Sequence, residues 1–470
     1  MEALHRILNL VWEKEEIPDD WKRGLLVKLT KKGDLSKCGN WRGIMLLSIP
    51  SKILTRVLLN RMKVAVDEVM RDEQAGFRKD RSCIDQIATL RIIVEQSIEW
   101  SSPLYLLFVD FEKAFDSLDR ETMWKILRHY GIPDKIINVI KVQYRDFTCQ
   151  VLHGGTMTVP IEVKTGVRQG CLLSPLLFLV VLDWVTKNAY ESKRLGLQWT
   201  LTQRLEDLDY ADDLCLLTHR LTDMRVKVEK LQEFGGQVGL TINIKKTKEM
   251  RIGVGGQEAL ELNGEAVERV SEFTYLGSVI SETGGTDEDI AARIRKAQST
   301  FSMLMPVWKE KSIRLRTKLR IFNTNVKTAL LYGSETWRST KQLTKKLQTF
   351  INKCLRKILN IRWPEVISNE DLWERTEQSR IEESIKRKKW KWIGHTLRKP
   401  GNNITRSALE WNPQGSRKRG RPKQSWRRSV HDELAKKNTT WIEAKRTANN
   451  RVRWRSMVDA LCSPTGAKTA

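Results

Sequence analysis

The sequence predicts an α+β protein, with short strands and helices up to about residue 285 and helices alone after it. Residues 104–109 form a short apolar, aromatic-rich run that is typical of a buried strand. Asn263-Gly264 lies between two short runs and is a strong signal for a hairpin turn. After Gly285 apolar residues recur at helical spacing, so the rest of the chain is expected to be mainly helical.

The net charge of the chain is concentrated in its last 170 residues. The 470 residues contain 83 Lys and Arg against 57 Asp and Glu, a formal net charge of +26. Residues 1–300 hold 43 basic and 43 acidic side chains, whereas residues 301–470 hold 40 basic and 14 acidic ones. This division favours a globular body followed by a region that binds a polyanion.

The composition excludes several classes of protein. The longest clean apolar run, Leu176–Leu182, is too short to span a bilayer. The acidic first twenty residues fit neither a signal peptide nor a transit peptide. The seven cysteines contain no Cys-x-x-Cys pair, which argues against a zinc knuckle or a disulfide framework. We therefore expect an intracellular protein, in the nucleus, the cytoplasm or both, with no membrane partner.

Further elements are expected around these signals. Gly24–Leu29 and Phe273–Ile280 are strand candidates. Residues 205–217 alternate between apolar and acidic residues before becoming apolar, which predicts a hairpin with its turn at Ala211-Asp212-Asp213. Thr286 is expected to cap the first helix of the helical region.

Three carboxylates at the ends of these elements are candidates for a shared site. Asp110 ends an apolar strand, and Asp212 and Asp213 lie at the tip of a hairpin. If the strands are neighbours in one sheet, the three groups meet at one end of it and must take up protons or bind a hard cation. The plainer alternative is that Asp110 is a turn or cap residue and that the pair is a solvated turn.

Seven segments, in order, resemble the motifs of reverse transcriptases, with wording closest to those of LINE-type (non-long-terminal-repeat) retrotransposons. They are Lys31–Asp34 with Asn40–Ile44 in the fingers, Gln74–Arg78 ahead of motif A, Val109–Asp116 (motif A), Gly166–Pro175 (motif B), Tyr210–Asp213 (motif C), Gly239–Asn243 with Lys246-Thr247 (motif D) and Phe273–Gly277 (motif E, the primer grip).

The resemblance implies a right-hand polymerase. Its parts would be fingers (1–100), a palm with an antiparallel sheet (101–285), a helical thumb (286–360) and a basic, Trp-rich, mainly helical tail (361–470) that binds nucleic acid. Asp110, Asp212 and Asp213 would be the catalytic residues and the ligands of two Mg²⁺ ions, for which Mn²⁺ could substitute. Lys246 matches the family's proposed general acid for pyrophosphate, with a plain surface lysine as the alternative.

The resemblance also implies a nucleotide-binding set. Lys32 (or Lys31) and Arg42 would approach the triphosphate, although the lysines fit a solvated loop equally well. Phe115 would be the steric gate that excludes a 2′-hydroxyl; on its own it would be read as a core residue. Gln169 would pack under the nascent base pair, and Gly170 would allow a close backbone approach.

Two further groups of residues are assigned by resemblance. The primer grip would consist of Phe273, Tyr275, Leu276 and Gly277. In the tail, Arg417, Arg419, Arg421 and Lys423 belong to a basic stretch that contains Arg-Gly-Arg-Pro (419–422), like the minor-groove hook of some DNA-binding proteins. A nuclear import signal and a solvated linker are equally open alternatives. Of Trp363, Trp373, Trp392 and Trp426, most are expected to be core residues, and stacking on bases is the alternative.

The activity implied by the resemblance is that of an RNA-directed DNA polymerase, a nucleotidyltransferase of a transposable element. Its partners would be an RNA template, a DNA primer and deoxynucleoside triphosphates. Because the motifs begin close to the first residue, we expect the chain to lack the N-terminal endonuclease of full-length elements, and an endonuclease acting in trans would be a partner. The alternatives are a decayed or domesticated copy that binds RNA without polymerising, and a related polymerase from a mobile intron or telomerase.

Overall fold

The computed structural model of the chain describes residues 2–31, 33–37, 40–190, 194–338, 340–417, 419–420 and 422–462. The fold is a mixed helix and sheet structure, 52% helical and 15% strand. The α+β class is therefore confirmed. Lys32 and Arg421, two of the predicted site residues, lie outside the described residues.

The elements up to residue 190 are α1 (Glu2–Lys14), a 3₁₀ turn (Asp19–Lys22), β1 (Arg23–Thr30), β2 (Trp41–Leu47), α2 (Ile49–Val69), α3 (Cys83–Glu99), β3 (Leu104–Val109), α4 (Ala114–Ser117), α5 (Arg120–His129), α6 (Asp134–Tyr144), β4 (Thr148–His153), β5 (Thr156–Met157), β6 (Ile161–Glu162) and α7 (Ser174–Tyr190). Residues 194–281 add β7 (Leu197–Gln198), β8 (Arg204–Leu205), β9 (Asp207–Tyr210), β10 (Asp213–Thr218), α8 (Leu221–Gln237), β11 (Lys248–Ile252), β12 (Glu261–Leu262), β13 (Glu265–Ala266), β14 (Glu268–Arg269), β15 (Glu272–Tyr275) and β16 (Ser278–Ser281).

The remaining elements are all helical, as the spacing of apolar residues predicts. They are α9 (Asp287–Met303), α10 (Met305–Lys309), α11 (Leu315–Ile321), a π-helical turn (Phe322–Lys327), α12 (Thr328–Leu330), a 3₁₀ turn (Ser334–Thr336), α13 (Lys341–Ile358), α14 (Asn369–Thr376), α15 (Ile381–Leu397), α16 (Ile404–Ala408), α17 (Trp426–Ala435), α18 (Trp441–Ala448) and α19 (Arg451–Cys462).

Two five-stranded sheets position the predicted site. In the first, the order is β2-β1-β4-β5, with β6 also paired to β4; β1 is antiparallel to β2 and parallel to β4. In the second, the order is β14-β11-β3-β10-β9, with β9 and β10 antiparallel. The strand β3 is buried along its whole length, as its unbroken apolar run predicts. It is the middle strand of the second sheet, between β11 and β10.

The described chain forms two compact units. The first contains residues 1–81, 106–249 and 257–268, and the second contains residues 82–105, 250–256 and 269–470. In the first unit α7, which includes the longest apolar run of the sequence, is largely buried. In the second unit α3 is buried from Asp85 to Ser97. The four-part division into fingers, palm, thumb and tail stays a prediction.

The helices after Asp287 share one hydrophobic core. It includes Ile290 and Phe301 from α9 and Leu347 and Leu355 from α13. The same cluster continues beyond residue 360, with Ile381 and Ile385 of α15 as members. The tail helices are thus packed elements of their unit.

Two local expectations, for Phe273–Ile280 and Thr286, differ from the structure. Phe273–Ile280 is a hairpin of β15 and β16, because the chain turns at Leu276-Gly277. Thr286 precedes α9 but makes no capping hydrogen bond, since its backbone (φ −124°, ψ 6°) is not extended as an N-cap requires. Trp363 is 89% exposed, unlike the buried Trp392 and Trp426.

Other expectations are met. The Asn263-Gly264 turn joins β12 and β13, and both residues have positive φ angles. The six cysteines in the described part of the chain are free thiols. Within the same described part, no helix combines the length and apolar character that crossing a membrane requires.

Candidate active site

Asp110 follows the last residue of β3 and is fixed through its backbone by the segment of motif D. Its amide donates a hydrogen bond to Oγ1 of Thr247 (3.3 Å), and its carbonyl accepts one from the amide of Asn243 (2.8 Å). The Glu112 amide donates to the carbonyl of Thr241 (2.8 Å). Motifs A and D therefore form one hydrogen-bonded assembly, and the Asp110 side chain remains 42% exposed.

The acidic pair lies where β9 turns into β10. Tyr210 is opposite Asp213 in the ladder, so the turn consists of Ala211 and Asp212 alone. Ala211 has a φ of +57°, a left-handed conformation that costs a residue with a Cβ about 1–2 kcal/mol. Asp213 is the first residue of β10, which shortens the predicted three-residue turn by one.

The pKa values indicate that the three carboxylates lie close together. Burial is the largest cause that raises the pKa of Asp213 to about 6, and the charges of Asp212 and Asp110 add to it. The pKa of Asp212 is also raised, first by burial and then by Asp110, against a backbone hydrogen bond and the charge of Arg42. The side chains of Asp212 and Asp213 are nevertheless exposed, so neighbouring protein atoms surround them only in part and the site is open to solvent. The structure thus brings Asp110, Asp212 and Asp213 together.

The donor set fits a hard divalent cation. Carboxylate oxygens are the ligands that Mg²⁺ prefers, and carboxylates that raise one another's pKa are stabilised by positive charge. In the described residues no group of three His, Cys, Asp or Glu side chains is gathered tightly enough to hold a metal ion by itself. Mg²⁺ commonly completes its shell with water and substrate phosphates, so this arrangement is compatible with a site finished by substrate.

Lys246 lies beside Asp110. Its Nζ is 3.3 Å from Oδ1 of Asp110, and the lysine side chain is 65% exposed. An exposed ion pair of this kind contributes no more than about 1 kcal/mol to stability. Lys246 is therefore placed where it could act on a group held at Asp110, and its role as a general acid stays a prediction.

Arg42 lies on the exposed face of β2. It pairs with Leu29 of β1 and shares its face with the exposed Ile44 and Leu46. Its charge partly opposes the rise in the pKa of Asp212, which indicates that Arg42 lies near the acidic pair. Lys31 is exposed just after β1, and its amide donates to the carbonyl of Asn40 (2.7 Å).

The predicted steric gate is a half-buried ring held from one side. Phe115 stacks on the buried Phe178 of α7, with ring centroids 4.5 Å apart and 14° between the planes. Its carbonyl accepts a hydrogen bond from the amide of Val167 (2.7 Å), which joins motif B to motif A. The ring therefore has a fixed position without being a full core residue.

Gln169 and Gly170 connect motif B to the neighbouring segments. The Gln169 side chain donates from Nε2 to Oδ1 of Asp116 (2.9 Å), and its carbonyl accepts from the amide of Met45 in β2 (2.9 Å). A Cβ on Gly170, whose φ is +108°, would lie 2.4 Å from the carbonyl oxygen of Met45. The close backbone approach expected at Gly170 is thus made to β2.

The predicted primer grip is the β15–β16 hairpin of the second unit. Its turn residues, Leu276 and Gly277, both have positive φ angles, and the Leu276 carbonyl accepts a hydrogen bond from the Tyr332 hydroxyl (2.9 Å). Arg293 of α9 donates to the Gly277 carbonyl. Phe273 is half-buried and Tyr275 is buried. The hairpin is therefore anchored by its own unit.

Arg417, two residues before the Arg-Gly-Arg-Pro sequence, lies against α3 in the second unit. Nε of Arg417 is 2.8 Å from Oε1 of Glu99, so this predicted nucleic-acid-binding residue already has an acidic partner. Arg419 and Lys423 are exposed and line a cavity of about 310 Å³ together with Glu95. The nucleic-acid-binding role of these residues stays a prediction.

A buried charge cluster beside the β9–β10 hairpin was not found from the sequence. Arg71 donates to both Asp207 carboxylate oxygens (3.1 and 3.0 Å) and to Asp209 (3.1 Å), and its amide donates to Asp183 (2.9 Å). Burial and Asp207 raise the pKa of Asp209 despite Arg71. The only sequence signal was the acidic alternation before Tyr210, which is equally typical of a solvated strand face.

Comparison with known proteins agrees with this geometry. The family described as "Reverse transcriptase (RNA-dependent DNA polymerase)" matches residues 29–280, more than half of the chain. A second family, described as a domain of unknown function, matches residues 300–332. The chain belongs to the reverse transcriptase family.

Relatives carry names from retrotransposons and other transposons. The "Transposon TX1 uncharacterized 149 kDa protein" of Xenopus laevis is 26% identical over 364 residues, 76% of this chain and 27% of that protein. The "Probable RNA-directed DNA polymerase from transposon BS" of Drosophila melanogaster is 25% identical over 371 residues, 75% of this chain and 40% of that protein. The resemblance to LINE-type enzymes is thereby confirmed, although the chain spans less than half the length of either relative.

A solved structure of apo telomerase from Candida Tropicalis is also similar. It is 15% identical and covers 98% of this chain and 74% of its own, with a TM-score of 0.42. A similarity of this size carries no conclusion about function.

Proposed function

We propose that this chain is an RNA-directed DNA polymerase of a LINE-type retrotransposon, extending a primer 3′-hydroxyl on an RNA template. The observation that carries the proposal is the convergence of Asp110, Asp212 and Asp213, with the pKa of Asp213 raised to about 6 by burial and by the other two carboxylates. Membership of the reverse transcriptase family supports it. So does the name of the Drosophila melanogaster relative, "Probable RNA-directed DNA polymerase".

In the proposed mechanism the three aspartates would hold two Mg²⁺ ions, or Mn²⁺ in their place. Bound there, the ions would favour ionisation of the primer hydroxyl and neutralise the triphosphate. Phosphoryl transfer asks the protein mainly for positioning and charge. The hydrogen bonds that hold Asp110 to motif D and the short turn that carries Asp212 supply such positioning.

Other side chains would handle the nucleotide. Arg42, exposed beside the acidic pair, would bind the phosphates, and Lys246 at Asp110 would protonate the pyrophosphate as it leaves. Phe115, fixed by stacking on Phe178, would exclude a 2′-hydroxyl and so select deoxynucleotides. Gln169, tied to Asp116, would support the nascent base pair.

The test is primer extension by the purified chain. With a DNA primer annealed to an RNA template, Mg²⁺ and deoxynucleoside triphosphates, we expect elongated products, and far fewer with ribonucleoside triphosphates. If the protein binds the primed RNA but extends nothing, the chain is an RNA-binding relic and the polymerase proposal is wrong. If the protein extends primers on DNA templates but not on RNA templates, the proposal of an RNA template is wrong.

A further inference from the structure

Gln74 is a buried glutamine whose side chain contacts the turn between β9 and β10. It is 1% exposed and belongs to the segment between α2 and α3, far along the chain from the turn. Its backbone lies parallel to β9, opposite Asp209. The amide of Ala75 donates to the carbonyl of Asp209 (2.9 Å). This segment therefore runs beside β9 and reaches the turn at its end.

Both ends of the Gln74 carboxamide bind the same residue of the turn. Oε1 accepts a hydrogen bond from the amide of Ala211 (2.8 Å), and Nε2 donates to the carbonyl of Ala211 (3.2 Å). Oε1 also accepts from the amide of Gly76 (2.8 Å). A single side chain thus satisfies both backbone polar groups of the residue that precedes Asp212.

The contact is specific because Ala211 is held in a conformation that alanine avoids. Its φ of +57° is one that glycine adopts freely, so the left-handed turn depends on outside support. Gly76 provides the space for that support, since a Cβ there would lie 2.3 Å from the amide nitrogen of Ala211. The backbone at Gly76 therefore contacts the turn, and beside this contact the carboxamide of Gln74 bonds to Ala211.

We propose that Gln74 is a positioning residue for the catalytic acidic pair. By fixing the amide and carbonyl of Ala211 it fixes the turn, and so the directions in which Asp212 and Asp213 leave the backbone. The inference rests on the proposed polymerase function, because it explains how the two carboxylates are kept oriented toward Asp110. The side chain of Gln74 is buried and its hydrogen bonds go to backbone groups, so its proposed effect acts through the turn.

Gln74→Met tests this role, because methionine keeps the length and apolar bulk of the side chain and loses every hydrogen bond. We expect kcat of primer extension to fall roughly 10- to 100-fold, as for other groups that orient metal ligands, with KM for deoxynucleotides changed less than about threefold. Mn²⁺ affinity with a deoxynucleoside triphosphate present and no nucleic acid, followed by electron paramagnetic resonance, should fall by a similar factor. Gln74→Glu keeps the acceptor and should retain more activity than Gln74→Met.

Gln143→Met is the matched control. Gln143 is also 1% exposed and in the same unit, and its carboxamide bonds to Val139 and Arg168 instead of to the turn. We expect this variant to lose similar thermal stability while keeping the Mn²⁺ affinity of the unchanged protein. Equal Mn²⁺ affinity and kcat in the two variants would overturn the role of Gln74. If the unchanged protein extends no primer, the polymerase proposal fails, and the Mn²⁺ comparison still decides about Gln74.

Discussion

Asp212 is one of the three carboxylates proposed to hold the metal ions. We predict that Asp212→Asn lowers primer extension by roughly two to three orders of magnitude, because a neutral amide is a poor ligand for Mg²⁺. Affinity for primed RNA should stay within about threefold, since phosphate contacts elsewhere dominate binding. Extension assays and filter binding on the same preparation measure both.

Glu112→Gln is the control for this substitution. Glu112 is an exposed carboxylate two residues after Asp110 and has no place in the proposed site. Its replacement should leave extension nearly unchanged. A large loss of RNA binding by Asp212→Asn would contradict the division between chemistry and affinity.

Glu95 links a buried residue to the pH dependence of stability. Burial within its unit raises its pKa to about 7, partly opposed by the hydrogen bond from the amide of Trp426. The folded state therefore keeps a proton between pH 4.5 and about 7 that the unfolded state releases. The contribution of this group to the free energy of unfolding consequently falls as pH rises through that window.

Glu95→Gln removes this titration while keeping an oxygen for the Trp426 amide. We predict that the free energy of unfolding of the variant minus that of the unchanged protein is larger at pH 8 than at pH 5, by roughly 1–3 kcal/mol. Urea unfolding at the two pH values measures the difference. If the variant and the unchanged protein differ in stability by the same amount at pH 5 and pH 8, Glu95 does not titrate in this range.

At the scale of single elements, the packing of α15 against α19 depends on a glycine. A Cβ on Gly394 would lie 2.0 Å from Nε1 of Trp454, a buried residue whose indole N–H donates to the carbonyl of Trp390 (3.1 Å). We predict that Gly394→Ala lowers the free energy of unfolding by about 1–3 kcal/mol, because the tryptophan must shift in a packed interior.

Gly401→Ala is the matched substitution, since a Cβ at Gly401 would meet nothing within 4 Å. It should change the free energy of unfolding by less than about 0.5 kcal/mol. Thermal unfolding followed by tryptophan fluorescence compares the two. Equal effects would mean that the helices approach less closely than the structure indicates.

The hairpin at Leu276-Gly277 is an element whose turn is stabilised by residues distant in the chain. Apart from Gly277, Phe273–Ile280 has the composition of one strand, because leucine occupies the first turn position, where glycine or asparagine would signal a bend more strongly. The turn forms because Tyr332 and Arg293 donate hydrogen bonds to its two carbonyls. Those donors lie more than fifteen residues away, so no local pattern reveals them.

For the whole molecule, the excess charge should determine how binding depends on salt. Cutting the chain at residue 360 is a poor test, because it removes Ile381 and Ile385 from the shared helical core. Exposed tail cations can be neutralised instead. Replacing Arg451, Arg453 and Arg455 by Gln should reduce the slope of log affinity against log salt by up to roughly one for each phosphate that these arginines neutralise.

The control replaces three exposed cations of the neutral part, Arg56, Lys63 and Lys125, by Gln. Because net charge changes equally in the two triple variants, only the location of the charge differs. Binding of primed RNA between 50 and 300 mM salt, on the order of physiological strength, measures the slopes. A larger effect of the control would place the nucleic-acid contacts in the first 300 residues.

The α+β class, the helical second part, the family and the three catalytic candidates can all be predicted from the sequence. Those features follow from short runs such as residues 104–109 and Tyr210–Asp213, in which local pattern and residue type suffice. The folded chain was needed to see that Gln74 bonds to Ala211 beside the acidic pair and that Asp207 and Asp209 are buried beside Arg71. Burial and hydrogen-bond partners come from residues distant in the chain. A strand with alternating acidic residues therefore has the same local pattern whether water or a guanidinium group contacts it.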